Sequence, residues 1–204
     1  KRDGAIHRIV LTNGDTINGS MFVDASYEGD LMAKAGVTYT VGREGTGEHG
    51  ESWAGRRAIL PDGHQMLPRV SPFDEKGNLL PLINDAPLVG EGEADKAVQG
   101  YGFRLIVTDR EENRIPFSRP EGYDASQYAL IKRYYEVHPD AGNMVHLWPT
   151  LPNGKADMNS SGPISTNVVN GLNWEYPDAE YERRDEIWQE MENYTRGLLY
   201  FFSS

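Results

Sequence analysis

Cysteine is absent from all 204 residues, which excludes a disulfide framework, thiolate chemistry and any cysteine-based metal site. Positive charge is scarce: 20 Lys and Arg stand against 31 Asp and Glu, for a net charge of −11. That balance argues against nucleic acid and against an anionic membrane surface, since both require clustered cations. No apolar run approaches the length of a membrane span, and no signal-peptide pattern is visible. The compartment therefore stays open. The five histidines, His7, His49, His64, His138 and His146, include no pair at helical metal-ligand spacing. His49, beside Glu48 and Glu51 in a glycine-rich stretch, reads as solvated, and no metal is expected. Residues 42–50 carry several glycines but no following Gly-Lys-Ser/Thr, so they form no phosphate loop. A G-x-S-x-G nucleophile elbow is missing as well. No Gly-x-Gly-x-x-Gly stands between a first strand and a first helix, where a dinucleotide would need its tight turn.

What remains is enough to bury a core: 38% of the residues are hydrophobic in a chain of single-domain length. Asn13-Gly14 is a strong hairpin signal and predicts two strands within residues 6–23. The second should end in the apolar run Met21-Phe22-Val23, read as a buried strand feeding directly into a helix over 27–35. Ser26 is the expected N-cap and Gly36 the stop. A short strand is expected over 37–41. Residues 42–100 are dominated by Gly, Pro, Asp, Glu and Asn and read as long binding loops. Strand character returns over 101–108 and again over 145–151. Asp124 with Gln127 forms a capping-box pattern that opens a helix bounded by Pro139. Residues 152–173 read as a polar loop. A last helix should start near Pro177 and run to the end, with an apolar stripe of Tyr181, Trp188, Met191, Tyr194, Leu198 and Phe202. The order of elements predicts an α+β fold with a mixed, mostly antiparallel sheet, a few helices and long loops.

One segment carries more information than the rest: Asp24-Ala25-Ser26-Tyr27-Glu28-Gly29-Asp30-Leu31-Met32-Ala33, followed by Ala35-Gly36-Val37 and by Val41-Gly42-Arg43-Glu44. Tyr101-Gly102-Phe103-Arg104-Leu105, Lys155-Ala156-Asp157-Met158-Asn159 and Tyr194-Thr195-Arg196-Gly197-Leu198-Leu199-Tyr200-Phe201 follow in order. This succession resembles the FAD-dependent oxidoreductases of the glutathione-reductase-like superfamily, in the bacterial branch often called xanthan lyases. The resemblance spans nearly the whole chain. It implies that the intact protein binds FAD and that residues 1–41 form its FAD-proximal hairpin, strand and helix. Residues 42–204 would then form a substrate-side α+β region of a two-domain flavoprotein. With the dinucleotide turn missing, the chain looks like an internal piece of such an enzyme, not expected to retain FAD or activity alone.

Asp24, Ala25, Ser26, Glu28, Gly29 and Asp30 are accordingly the candidate cofactor-binding residues. A carboxylate beside a helix start is also the ordinary pattern of a cap, and both readings stand. Arg104 can clamp a carboxylate bidentately, which suits an acidic or polyhydroxylated substrate, or it can pair with one of the chain's many acids. Lys155, Asp157 and Asn159 alternate, so an extended backbone would put them on one face, where three polar groups suit sugar hydroxyls. Arg104, Lys155, Asp157 and Asn159 are the candidate substrate-binding residues, and Tyr101 and Arg104 the weak catalytic candidates. The alternative is a flavin-free carbohydrate-active protein, a polysaccharide lyase or sugar-binding module, with Tyr101 as base and Arg104 neutralising a uronate. Finally, Leu198, Leu199, Phe201 and Phe202 cannot all lie on one helical face, so part of this cluster should stay exposed and pair two copies through the last helix.

Overall fold

The computed structural model describes residues 4–57, 66–98, 101–141, 146–159, 166 and 171–204. The chain divides into two compact units, Lys1–Val41 and Gly42–Ser204. Together they contain two small antiparallel sheets, short helices, one long helix and extended loops, an α+β arrangement.

In the first unit the Asn13-Gly14 turn closes a hairpin of β1 (Arg8–Val10) and β2 (Thr16–Asn18). Gly14 takes φ +88°, a conformation that favours glycine, and Asn13 Oδ1 accepts the Asp15 N–H at 3.0 Å. The strands are shorter than expected. No strand covers Met21–Val23, and the run expected to be buried is open: Met21 is 83% and Val23 79% exposed, because no layer of this unit packs over them. The helix that follows, α1 (Asp30–Lys34), is one turn shorter at its start than the 27–35 expected. Gly29, not Ser26, is its N-cap, at φ 69°. The stop is as expected. Gly36 sits at φ +76°, its N–H donating to the Ala33 carbonyl and the Val37 N–H reaching back to Met32. Residues 37–41 form no strand, since among the described residues no backbone pairs with them as a ladder.

The second unit begins with the single-turn helix α2 (Thr46–His49) in a loop knitted to residues 89–95. Arg43 and Asp95 exchange backbone hydrogen bonds and pair through their side chains, Arg43 Nε donating to Asp95 Oδ1 at 2.7 Å. Gly55 packs so closely on this loop that a Cβ there would lie 2.4 Å from the Gly92 carbonyl.

A three-stranded antiparallel sheet follows, of order β3 (Leu105–Thr108), β5 (Lys155–Asn159), β4 (His146–Leu151). The central strand, β5, falls in the stretch expected to be loop. Asn153 and Gly154, at φ 62° and 67°, form the tight turn that joins it to β4. Asp124 caps a 3₁₀ turn (Ala125–Tyr128) by accepting the Ser126 N–H, and α3 (Ala129–Val137) continues from it.

The last helix, α4, runs Tyr181–Ser203, starting four residues beyond Pro177. Pro177 lies instead in a separate 3₁₀ turn (Tyr176–Asp178), cut off by the extended Ala179. Buried Arg184 ties the two, donating to the carbonyls of Tyr176 (2.9 Å) and Pro177 (2.8 Å). The buried line of α4 is Arg184, Ile187, Met191, Thr195 and Leu198, with Leu199 beside it. Tyr181, Trp188 and Phe202 of the expected stripe are partly exposed, because the helix turns its 187–191–198 edge to the core. That core joins Tyr128, Ile131 and Tyr134 to Leu198, with Tyr194 and Phe201 packed against them. Burial pushes the Tyr128 hydroxyl up to about 12 and raises Tyr194 as well.

Candidate functional site

The sheet brings the candidate substrate residues together. Asp157 on β5 lies opposite Ile106 of β3 on one side and Trp148 of β4 on the other, so the three share one face. Arg104 stands two positions before Ile106 and Lys155 two before Asp157, which puts both on that same outer face. Asn159 holds the next alternate position of β5; its side chain lies outside the described residues. Ile106 and Trp148 are both solvent-exposed, so this face is an open one.

Arg104 and Asp157 are paired to each other. Arg104 Nε donates to Asp157 Oδ1 at 2.9 Å and Oδ2 at 3.0 Å, and an Nη reaches Oδ2 as well. The Arg104 side chain is 72% exposed and Asp157 only 14%, so the carboxylate anchors a guanidinium that projects into solvent. The Arg104 hydrogen bond holds Asp157 below the usual carboxylate range, and Asp157 in turn raises Arg104. Lys155 is exposed beside them. Tyr101 lies elsewhere, with its ring 4.7 Å from that of Tyr176, in a cleft of about 180 Å³ shared with Phe103, Trp188 and Met191. Tyr101 and Arg104 thus line different surfaces.

In the first unit the candidate cofactor residues form a compact knot. Asp24 Oδ1 accepts the Ser26 N–H (3.0 Å) and hydroxyl (2.7 Å), while Oδ2 accepts the Met32 N–H at 3.0 Å. Ser26 Oγ accepts the Gly29 N–H at 3.1 Å. The Ser26 hydroxyl, then the Met32 and Ser26 N–H groups, lower the Asp24 carboxyl from its ordinary value. Asp24 is therefore the residue that satisfies the start of α1, the capping role, although it stands five residues before the Gly29 N-cap. Ala25 is exposed and Glu28, Gly29 and Asp30 are half-buried around it. Tyr27 is 95% exposed.

Two further features bear on cofactor and metal. Gly45-Thr46-Gly47-Glu48-His49-Gly50 carries glycines at dinucleotide-turn spacing, yet these residues are the four-residue helix α2 and its caps, with no strand leading in. The strand–turn–helix context that gives the pattern its meaning is missing. Glu44, Glu48 and His49 bring ligand atoms within 4.8 Å of one another at the surface. The Glu48 carboxylate, however, already accepts the Gly45 N–H at 3.0 Å as a helix cap. Among the described residues no helix is long and apolar enough to cross a membrane.

Against known families, the model of the FAD dependent oxidoreductases matches residues 1–203 of the chain. The chain belongs to the FAD-dependent oxidoreductase family. No curated protein and no solved structure matches it. Membership implies FAD in the intact protein and lends nothing to the flavin-free alternative. As a test of fit, the residues described here do not build the nucleotide cradle an FAD-dependent oxidoreductase needs. The Asp24 carboxylate and Ser26 hydroxyl are committed to their own backbone, and the Gly45–Gly50 string is a helix. The expected pairing of Arg104 with an acid is found, with Asp157 as the partner that sequence reasoning did not name; the β5 strand was missed, and Asn153-Gly154, between residues 146–151 and 155–159, was the signal that could have revealed the hairpin.

Proposed function

We propose that this chain supplies the substrate-facing surface of a FAD-dependent oxidoreductase and one wall of its flavin site. The redox chemistry of the family belongs to its flavin, and the residues of this chain bind and orient. The observation that carries the substrate half is the convergence of Arg104, Lys155, Asp157 and Trp148 on one open sheet face. A guanidinium fixed by Asp157 presents its outer edge to a carboxylate without losing much side-chain freedom on binding. The half-exposed Trp148 ring offers a flat apolar platform, and Lys155 a second cation. Together they suit a polyhydroxylated acid, a sugar acid being the simplest. For the flavin wall, the support is a hydrogen-bonded knot around the Asp24 carboxylate, beside Met21, Val23 and Tyr27, apolar side chains open to be covered.

Titrating the chain with glucuronate and with glucose, followed by backbone amide shifts, tests the substrate half. Glucuronate is expected to move the amides of 104–106, 148 and 155–157 and to bind more tightly than glucose. Arg104→Gln should erase that preference, a loss of about tenfold, ~1.4 kcal/mol, in line with one charge-assisted hydrogen bond. Equal response to both sugars, or an Arg104→Gln chain that keeps the preference, would contradict the assignment.

A further inference from the structure

The three-stranded sheet has two edges, and they are not alike. At one edge, β4 contains Pro149, which has no N–H to offer a further strand, and its register with β5 shifts between Trp148 and Leu151. Proline and broken register are ordinary means of closing an edge to further pairing. At the other edge, β3 reads Leu105-Ile106-Val107-Thr108, without proline or charge and in unbroken register with β5. In an antiparallel pair, alternate residues turn their N–H and C=O groups away from the partner strand. Among the described residues no further backbone meets those groups of β3, so a row of donors and acceptors stands open.

This edge borders a cavity of about 410 Å³. Successive side chains of a strand leave on opposite faces, yet Leu105, Ile106 and Val107 all line the cavity. It therefore runs along the edge of β3 rather than under one face of the sheet. Ile115, Pro116, Phe117 and Ser118 form another rim. That rim belongs to no strand and contains a proline, so β3 is the side with a ladder to offer. Ile106 is 67% and Ile115 89% exposed, apolar surface that an occupant would cover. The two charged residues of the lining are spent on each other, Arg196 Nε donating to Glu192 Oε1 at 2.7 Å.

We propose that β3 binds an extended, uncharged peptide segment of a partner protein, which adds a fourth strand to the sheet between β3 and residues 115–118. Each part of that class follows from the site. An open row of backbone N–H and C=O groups is matched by another extended backbone. Half-buried Leu105 and Val107 alternate with exposed Ile106, so the segment alternates apolar residues with polar ones. The internal pairing of Glu192 with Arg196 leaves no charge for the segment to answer. In such strand additions the main-chain hydrogen bonds supply affinity and the alternate side chains supply specificity. A second copy suits the site less well, because its own β3 would arrive with β5 behind it, where the 115–118 rim stands. The proposal rests on this edge alone and is independent of the substrate and flavin readings.

The probe is the peptide acetyl-Thr-Val-Thr-Val-Thr-amide, titrated into the full chain and followed by backbone amide shifts and hydrogen exchange. The expected result is saturable one-to-one binding, slowed exchange at alternate amides of Leu105–Thr108, and nuclear Overhauser contacts from peptide Hα protons to β3. A paired strand turns only every second N–H toward its neighbour. N-methylating the two Val amides and N-methylating the three Thr amides should therefore differ, one set weakening binding about tenfold more than the other. A peptide with Glu in place of both Val should bind about tenfold more weakly than the parent. Absence of saturable binding or of protection at β3 overturns the proposal. So does an equal loss from the two methylated sets, or a Glu peptide that binds as well as the parent. Protection of the same amides on raising the chain concentration, with no peptide present, would give the edge to a second copy and also overturns it.

Discussion

Gly197 shows how a single atom can set the packing of this chain. It lies in the middle of α4, where glycine is ordinarily about 1 kcal/mol worse than alanine. A Cβ at this position would fall 2.1 Å from the Tyr128 hydroxyl oxygen. Tyr128 is buried and donates that hydroxyl to the Tyr194 carbonyl at 2.9 Å, so neither group can step aside cheaply. Overpacking of this kind costs roughly 1–3 kcal/mol, and the displaced hydrogen bond about 1 more. Together these outweigh the propensity gain. Gly197→Ala is therefore expected to lose about 1–3 kcal/mol in urea denaturation, and the further change Tyr128→Phe, which removes the clashing oxygen, should return part of it. A Gly197→Ala chain as stable as the original would show that the 3₁₀ turn and α4 are not in contact there. The Asp24 knot makes the same point for the candidate site. Asp24 was legible as a carboxylate near a helix start, but its hydrogen bond to Met32, eight residues on, follows from the loop's path rather than from local spacing.

Among the elements, those with strong local signals were the legible ones: the Asn13-Gly14 hairpin, the Gly36 stop, the Asp124 cap and the long final helix. β5 was hidden because Lys, Ala, Asp, Met and Asn are poor strand formers. It is a strand because it has a partner on both sides, a tertiary cause that composition does not carry. The reverse error occurred at Met21-Phe22-Val23, apolar enough for a buried strand yet given no layer to pack on in its own unit. The bias to alternation did place Lys155, Asp157 and Asn159 on one face of an extended segment, and Arg104 joined that face only through sheet register. For α4 the expected surplus of apolar surface is smaller than its sequence implies. Leu198 and Leu199 are buried by their own unit and Phe201 packs on the core, which leaves Phe202 39% exposed. With Trp188 and Tyr181 also partly open, we propose a weak pairing of two copies through the outer side of this helix. Sedimentation equilibrium should show concentration-dependent self-association that Phe202→Ser weakens. A strict monomer at high concentration would mean that α4 is already sufficiently covered.

At the scale of the whole molecule, the family match fixes the class. The match runs over residues 1–203, so FAD is part of the intact protein. Yet an FAD pyrophosphate needs free backbone N–H groups in a tight glycine turn, preferably without surrounding negative charge. This chain carries a net charge of −11, spends its one glycine string of the right spacing on α2, and locks Asp24 and Ser26 onto their own backbone. Its described residues build no nucleotide cradle. The measurement that tests this most directly is titration of the purified chain with FAD, followed by flavin absorbance and fluorescence. No stoichiometric binding is expected at micromolar concentration, whereas one-to-one binding in that range with a perturbed flavin spectrum would contradict the account.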